Sequence, residues 1–122
     1  MMIRVFGYIL IVSVLAVLLV SCAKYDQRLA MKDLERAQVV RLQKKPGQGT
    51  ICSMGIRGSG QVDGKTRIVL MLNGAPYKAA DIDGKVHFAW GGDWYADSME
   101  LRYQPLEVRS GELIIEYYFR DI

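Results

Sequence analysis

The chain has 122 residues, with 16 basic and 13 acidic side chains and a formal net charge of +3. That length suits one small domain and not two, and so slight a positive balance excludes the basic surface of a nucleic-acid binder. With only two cysteines, Cys22 and Cys52, there is no disulfide framework, so an apolar core must hold the fold.

Arg4 is the only charged side chain in the first 23 residues, and Val5 to Val20 is apolar except for Gly7, Tyr8 and Ser13. A positive start, an apolar run and a small-residue exit are the three parts of a secretory signal. A spanning helix needs roughly 20 apolar residues, so a retained signal anchor is the competing expectation. The run ends in Leu19-Val20-Ser21-Cys22, which resembles the lipobox of bacterial lipoprotein precursors. The resemblance implies cleavage before Cys22, a diacylglycerol thioether on its sulfur and acylation of the new amine. Two or three chains together make a lasting anchor, where one alone is marginal. In the family's sorting logic, Ala23 at the next position implies the outer membrane, with the domain facing the periplasm. In a host with one membrane it implies the cell membrane. The expected organisation is then a signal peptide over 1–21, a lipidated tether over 22–37 and a β domain over 38–122.

Charge is unevenly spread behind the anchor. Residues 24–45 hold seven basic and three acidic side chains, whereas 46–122 hold eight basic and ten acidic. Ala30, Leu34 and Ala37 fall at i, i+4, i+7, which predicts that the tether turns helical. Arg28, Lys32 and Arg36 would then form a basic stripe, either a solvated stem or a contact with anionic headgroups.

Beyond residue 37 the period changes from helical to alternating. Residues 38–42 predict a first strand, and Lys44 to Gly49 a loop around Pro46-Gly47. Residues 50–57 predict a second strand, with Cys52, Met54 and Ile56 on one face, ended by Gly58-Ser59-Gly60. Asp63-Gly64 and Asp83-Gly84 predict hairpin turns, as does Asn73-Gly74. Residues 67–72 are apolar on both faces, as in a central strand. Residues 85–90 turn Val86, Phe88 and Trp90 inward and His87 outward. Residues 99–103 alternate Met99, Leu101 and Tyr103 against Glu100 and Arg102. Pro105 predicts an edge or a turn, and Ser110-Gly111 another turn. Residues 112–119 place Leu113, Ile115, Tyr117 and Phe119 on one face.

Short strands at this spacing predict an all-β fold, a small antiparallel β-sandwich, with a closed barrel as the alternative. Trp90 in a middle strand is similar in placing to the tryptophan of immunoglobulin-like sandwiches, but the flanking cysteine pair is missing. Val62-Asp63-Gly64-Lys65 is echoed by Ile82-Asp83-Gly84-Lys85, which shared turn chemistry explains without a repeat.

The sequence offers little for catalysis. There is no HxxxH or CxxC spacing. Asp81-Ile82-Asp83-Gly84 lacks the acids a calcium loop needs, since Ala79 and Trp90 stand where they should be. His87 is the single histidine, and Asp93 and Asp97 are the nearest candidates for a carboxylate pair. No cofactor and no metal are expected, and Cys52 reads as a small core residue. The segment that stands out is Trp90-Gly91-Gly92-Asp93-Trp94-Tyr95-Ala96-Asp97. Trp90, Trp94 and Tyr95 with Asp93 and Asp97 suit a protein partner or a sugar ring, unless the aromatics plug the core. The expectation is a non-catalytic, lipid-anchored periplasmic domain that binds an envelope protein. A cell-wall glycan binder is the alternative, a small hydrolase inhibitor is a variant of the first, and an enzyme comes last.

Overall fold

The computed structural model describes residues 24–122. The expected signal peptide over 1–21 and the expected lipidation at Cys22 lie outside the described residues. The fold is all-β and antiparallel. Its strands are β1 (Gln27–Met31), β2 (Gln38–Gln43), β3 (Ile51–Leu72), β4 (Ala75–Asp93) and β5 (Ser98–Asp121). They form a single sheet in which β5 lies between β3 and the pair β1 and β2, and β4 pairs on the far side of β3.

Three of these strands are far longer than a core of this size can hold straight. Each doubles over, and the halves make two facing layers. Layer one contains β1 with 51–61 of β3, 85–93 of β4 and 111–121 of β5. Layer two contains β2 with 65–72, 75–83 and 98–108. The crease crosses all three strands at matched positions. The β3–β4 register jumps between Gln61 and Lys65, and the β3–β5 register shifts between Asp63 and Gly64 and again between Lys65 and Thr66. Such irregularities bend a strand and raise its twist.

The six strands read from the sequence are therefore halves of longer ones, or β2. Asp63-Gly64, Asp83-Gly84 and Ser110-Gly111 do not reverse the chain, which corrects the expected hairpins and turns. They lie inside strands, and the echo between 62–65 and 82–85 arises because neighbouring strands fold along one line. Gly64 shows why glycine is needed there. Its φ is 133°, and a Cβ would sit 1.5 Å from the Glu107 carbonyl oxygen. Pro105 sits on the same line, past the last β2 partner, Tyr103, and before the first β1 partner, Leu113. Its missing N–H falls where that side of β5 has no strand to bond. Asn73-Gly74 is the true hairpin. Both residues have positive φ, 51° and 78°, as a type I′ turn requires.

The tether is not helical. Gln27–Met31 pairs with β5, Leu29 opposite Ile115, and Leu29 and Met31 pack on the core. Alternation at 27–31 overrides the wider helical spacing. The basic stripe Arg28, Lys32 and Arg36 dissolves with the helix. Residues 32–37 then cross the crease to layer two. Leu34 is buried beneath this crossing, and Tyr103 Oη donates to the Leu34 carbonyl at 2.5 Å.

Between the layers lie Ile56, Ile68, Leu70, Val86, Phe88, Leu101, Leu113 and Ile115, all buried. The inward and outward residues of 85–90, 99–103 and 112–119 fall as alternation predicts. Val69 and Met71 are also buried, but on the outer side of layer two. At the end away from the crease, the chain itself crosses between the layers, over 44–50 and 94–97. Each ladder runs one bond beyond its strands there: Trp94 N donates to the Cys52 carbonyl in layer one, and Lys44 N to the Asp97 carbonyl in layer two. Gln27 Nε2 donates to the Gln43 carbonyl, so β1 meets β2 there too.

Candidate functional site

The segment 94–97 leaves layer one at the end of β4 and enters layer two at Ser98. It therefore caps the open end of the sandwich, and that position decides what each side chain can do. Trp94 turns inward and is 4% exposed. Its indole Nε1 donates to the Ser98 carbonyl at 3.1 Å, which satisfies the one polar atom of a buried ring. Trp94 is thus the plug of the core and not an exposed stacking face. Trp90 is half-buried against Phe88, ring centroids 4.6 Å apart. Tyr95 points the other way and is 79% exposed.

The two acids also separate. Asp97 Oδ1 meets Lys44 Nζ at 3.2 Å, so it ties the 94–97 connection to the loop after β2. Asp93 is exposed at the end of β4 in layer one. Of the five residues singled out, only Tyr95, Asp93 and Asp97 present themselves to a ligand.

Sequence reasoning missed the other wall of the site. Beside 94–98 the structure has a cleft of about 290 Å³, lined by Arg41, Met71, Trp94, Ala96, Glu100 and Arg102 together with the β3–β4 turn. Strand pairing builds it. Arg41 lies opposite Glu100 across β2–β5, and Met71 lies opposite Glu100 across β3–β5. Glu100 carries the electrostatics. One carboxylate oxygen meets Arg41 Nη2 at 3.3 Å and the other meets Arg102 Nε at 3.2 Å. One acid holding two guanidiniums leaves the group with a net positive charge and unused guanidinium donors. The outward positions 41, 100 and 102 are visible in the sequence, but their gathering depends on β2 pairing with the first half of β5.

Around the cleft Val39 and Tyr77 are exposed, 64% and 50%. Val39 faces outward beside Arg102. Tyr77 lies over the plug, its ring 6.5 Å from that of Trp94. The arrangement offers an apolar floor, two arginines and exposed aromatics, which suits recognition through contact area and charge.

The remaining candidates read from the sequence stand apart from this cleft. His87 is exposed on the outer side of layer one. Cys52 is half-buried and a free thiol, its sulfur 3.4 Å from the Arg120 carbonyl. Among the described residues, no three His, Cys, Asp or Glu side chains form a metal-holding group, and no helix is long and apolar enough to cross a membrane. No protein-family model, no curated protein and no solved structure matches the chain.

Proposed function

We propose that the chain is a lipid-anchored, non-catalytic binding domain of the bacterial envelope. Cys22 carries the lipid, the outer membrane is its address, and the sandwich takes a protein partner at the cleft beside 94–98. The observation that supports this reading best is the Arg41–Glu100–Arg102 group over Met71, flanked by exposed Tyr77 and Tyr95. Two arginines sharing one acid favour an acidic segment of the partner, because carboxylates accept bidentate bonds from guanidinium groups. Tyrosines at the rim add contact area at low entropic cost.

A glycan platform is less favoured because Trp94 is withdrawn into the core, which leaves Tyr95 as the one fully presented ring of the segment. The two ligands separate experimentally. Arg41→Glu with Arg102→Glu should abolish recovery of an envelope protein crosslinked to the full chain, while sedimentation with purified peptidoglycan tests the sugar reading. Loss of the protein adduct alone supports the proposal. Peptidoglycan binding that depends on Tyr95, with no protein adduct, would replace it.

A further inference from the structure

The outer side of layer one carries a second cluster, made where the chain emerges from its N-terminal segment. Tyr25 and Tyr118 meet edge to face, centroids 5.2 Å apart. Arg57 lies over the Tyr25 ring at 4.1 Å. Lys24 Nζ is 5.9 Å from the Tyr25 ring and 5.8 Å from the Tyr118 ring, and Arg120 is 5.7 Å from Tyr118. Gly55 makes room for this packing, since a Cβ there would lie 2.2 Å from a Tyr118 ring carbon. Nearby acids are mostly engaged. Glu116 pairs with Arg57 at 3.2 Å, and Asp26 pairs with Lys45. Glu112 and Asp93 lie on the same side of the layer, toward the crease and on β4. Lys24 and Arg120 are in no ion pair among the described residues.

We propose that this cluster is a seat for anionic phospholipid headgroups, which lays layer one on the bilayer and turns the Arg41–Arg102 cleft away from it. The inference rests on the anchor reading above and adds an orientation to it. Chain length supplies the main argument. The two residues from Cys22 to Lys24 span at most about 7 Å, so an anchored Cys22 holds Lys24 and Tyr25 at headgroup depth. A retained signal anchor ending at Val20 would do much the same. Charge and side-chain type fit that depth, because basic residues are attracted to anionic leaflets and amphipathic tyrosines concentrate at the interface. Without the seat, the domain could stand on its open end, which would press Tyr95 toward the membrane.

The test uses the full chain reconstituted in vesicles of phosphatidylcholine, with or without phosphatidylglycerol, containing brominated lipid. Tyr118→Trp and Tyr95→Trp each add one fluorophore to the native Trp90 and Trp94, whose signal is subtracted. Tyr25→Trp repeats the reading in case Tyr118→Trp disturbs the Gly55 contact. In anionic vesicles the lipid should quench the probes at 118 and 25 and spare the one at 95. Each basic residue near the surface contributes about a fivefold change in occupancy, so Lys24→Glu with Arg120→Glu should lower quenching at 118 severalfold. Equal quenching at 118 and 95, or quenching indifferent to both phosphatidylglycerol and charge reversal, overturns the seat. Flotation in high salt reads the anchor separately. A chain that does not float loses both anchor and seat, and one that floats without charge-dependent quenching loses the seat alone.

Discussion

The rings of Tyr77 and Trp94 lie 6.5 Å apart, although Tyr77 is near the start of β4 and Trp94 follows its last residue. An extended strand between them would reach about 55 Å. β4 must therefore double back, and its neighbours double with it. The same relationship recurs in β5, where the partners of Tyr117 and Ser98, Gln27 and Gln43, are joined by a hydrogen bond. Folding one sheet along a crease lets a short chain enclose a core from both sides.

The crease should be the most substitution-sensitive line in the backbone. Gly64→Ala forces a Cβ into the Glu107 carbonyl and should cost about 3 kcal/mol or more. Gly74→Ala meets no atom within 4 Å and bears only the positive-φ penalty, about 1 kcal/mol. Urea unfolding of the two variants checks the ordering.

Trp94 and its neighbour Tyr95 should behave oppositely. Trp94→Ala empties the capped end of the core and should lose about 3–5 kcal/mol of stability. Tyr95→Ala should change stability by less than about 0.5 kcal/mol while weakening partner capture. Thermal unfolding, run beside the crosslinking assay, separates a lost plug from a lost contact.

Alkaline pH should loosen the fold. Burial pushes the Tyr103 hydroxyl above its ordinary 10.0, with a smaller contribution from Glu35, against a lowering hydrogen bond from Thr66. Burial also raises Tyr117, helped by Asp26. A pKa raised in the folded state means stability is complete below the unfolded value, near 10, and is lost as pH climbs through the folded values. Unfolding midpoints measured from neutral to strongly alkaline pH should fall beyond that point. Tyr103→Phe should flatten the fall, and at neutral pH it should cost roughly 1–2 kcal/mol through the unpaired Leu34 carbonyl.

Acid should act on the opposite charge type. The Gly49 amide donates to Asp121 Oδ2 at 2.8 Å, and this bond, with lesser help from the residue's own backbone amide, then Gln48 and Lys45, holds the carboxyl below its ordinary range against the opposing desolvation. Its contribution is present above the unfolded carboxylate value and is lost as pH falls through the lowered one. Amide exchange at Gly49 should speed up in acid, and Asp121→Asn should remove that acid dependence.

Much of the fold was legible because inward and outward residues alternate. Met99, Leu101 and Tyr103 are buried, as the pattern requires, and so are Val86 and Phe88. Continuity was illegible, because Asp-Gly supplies positive φ equally to a hairpin and to a bend inside a strand. The first half of β4 was missed for another reason. Ala75-Pro76-Tyr77-Lys78-Ala79-Ala80 has weak strand preference and is largely exposed, so pairing with β3 and not its own composition makes it a strand. At the site, aromatic content pointed to 90–97 but could not tell plug from platform. The arginine pair depended on a long-range pairing that no local pattern carries.

Photocrosslinking in cells tests the proposed partner site most directly. Benzoylphenylalanine replaces Tyr95 beside the cleft in one strain and His87 on the opposite layer in another. The account predicts a discrete envelope-protein adduct from position 95, lost in Arg41→Glu with Arg102→Glu, and none from position 87. An adduct from 87 alone, or one from 95 that survives the charge reversal, would contradict it.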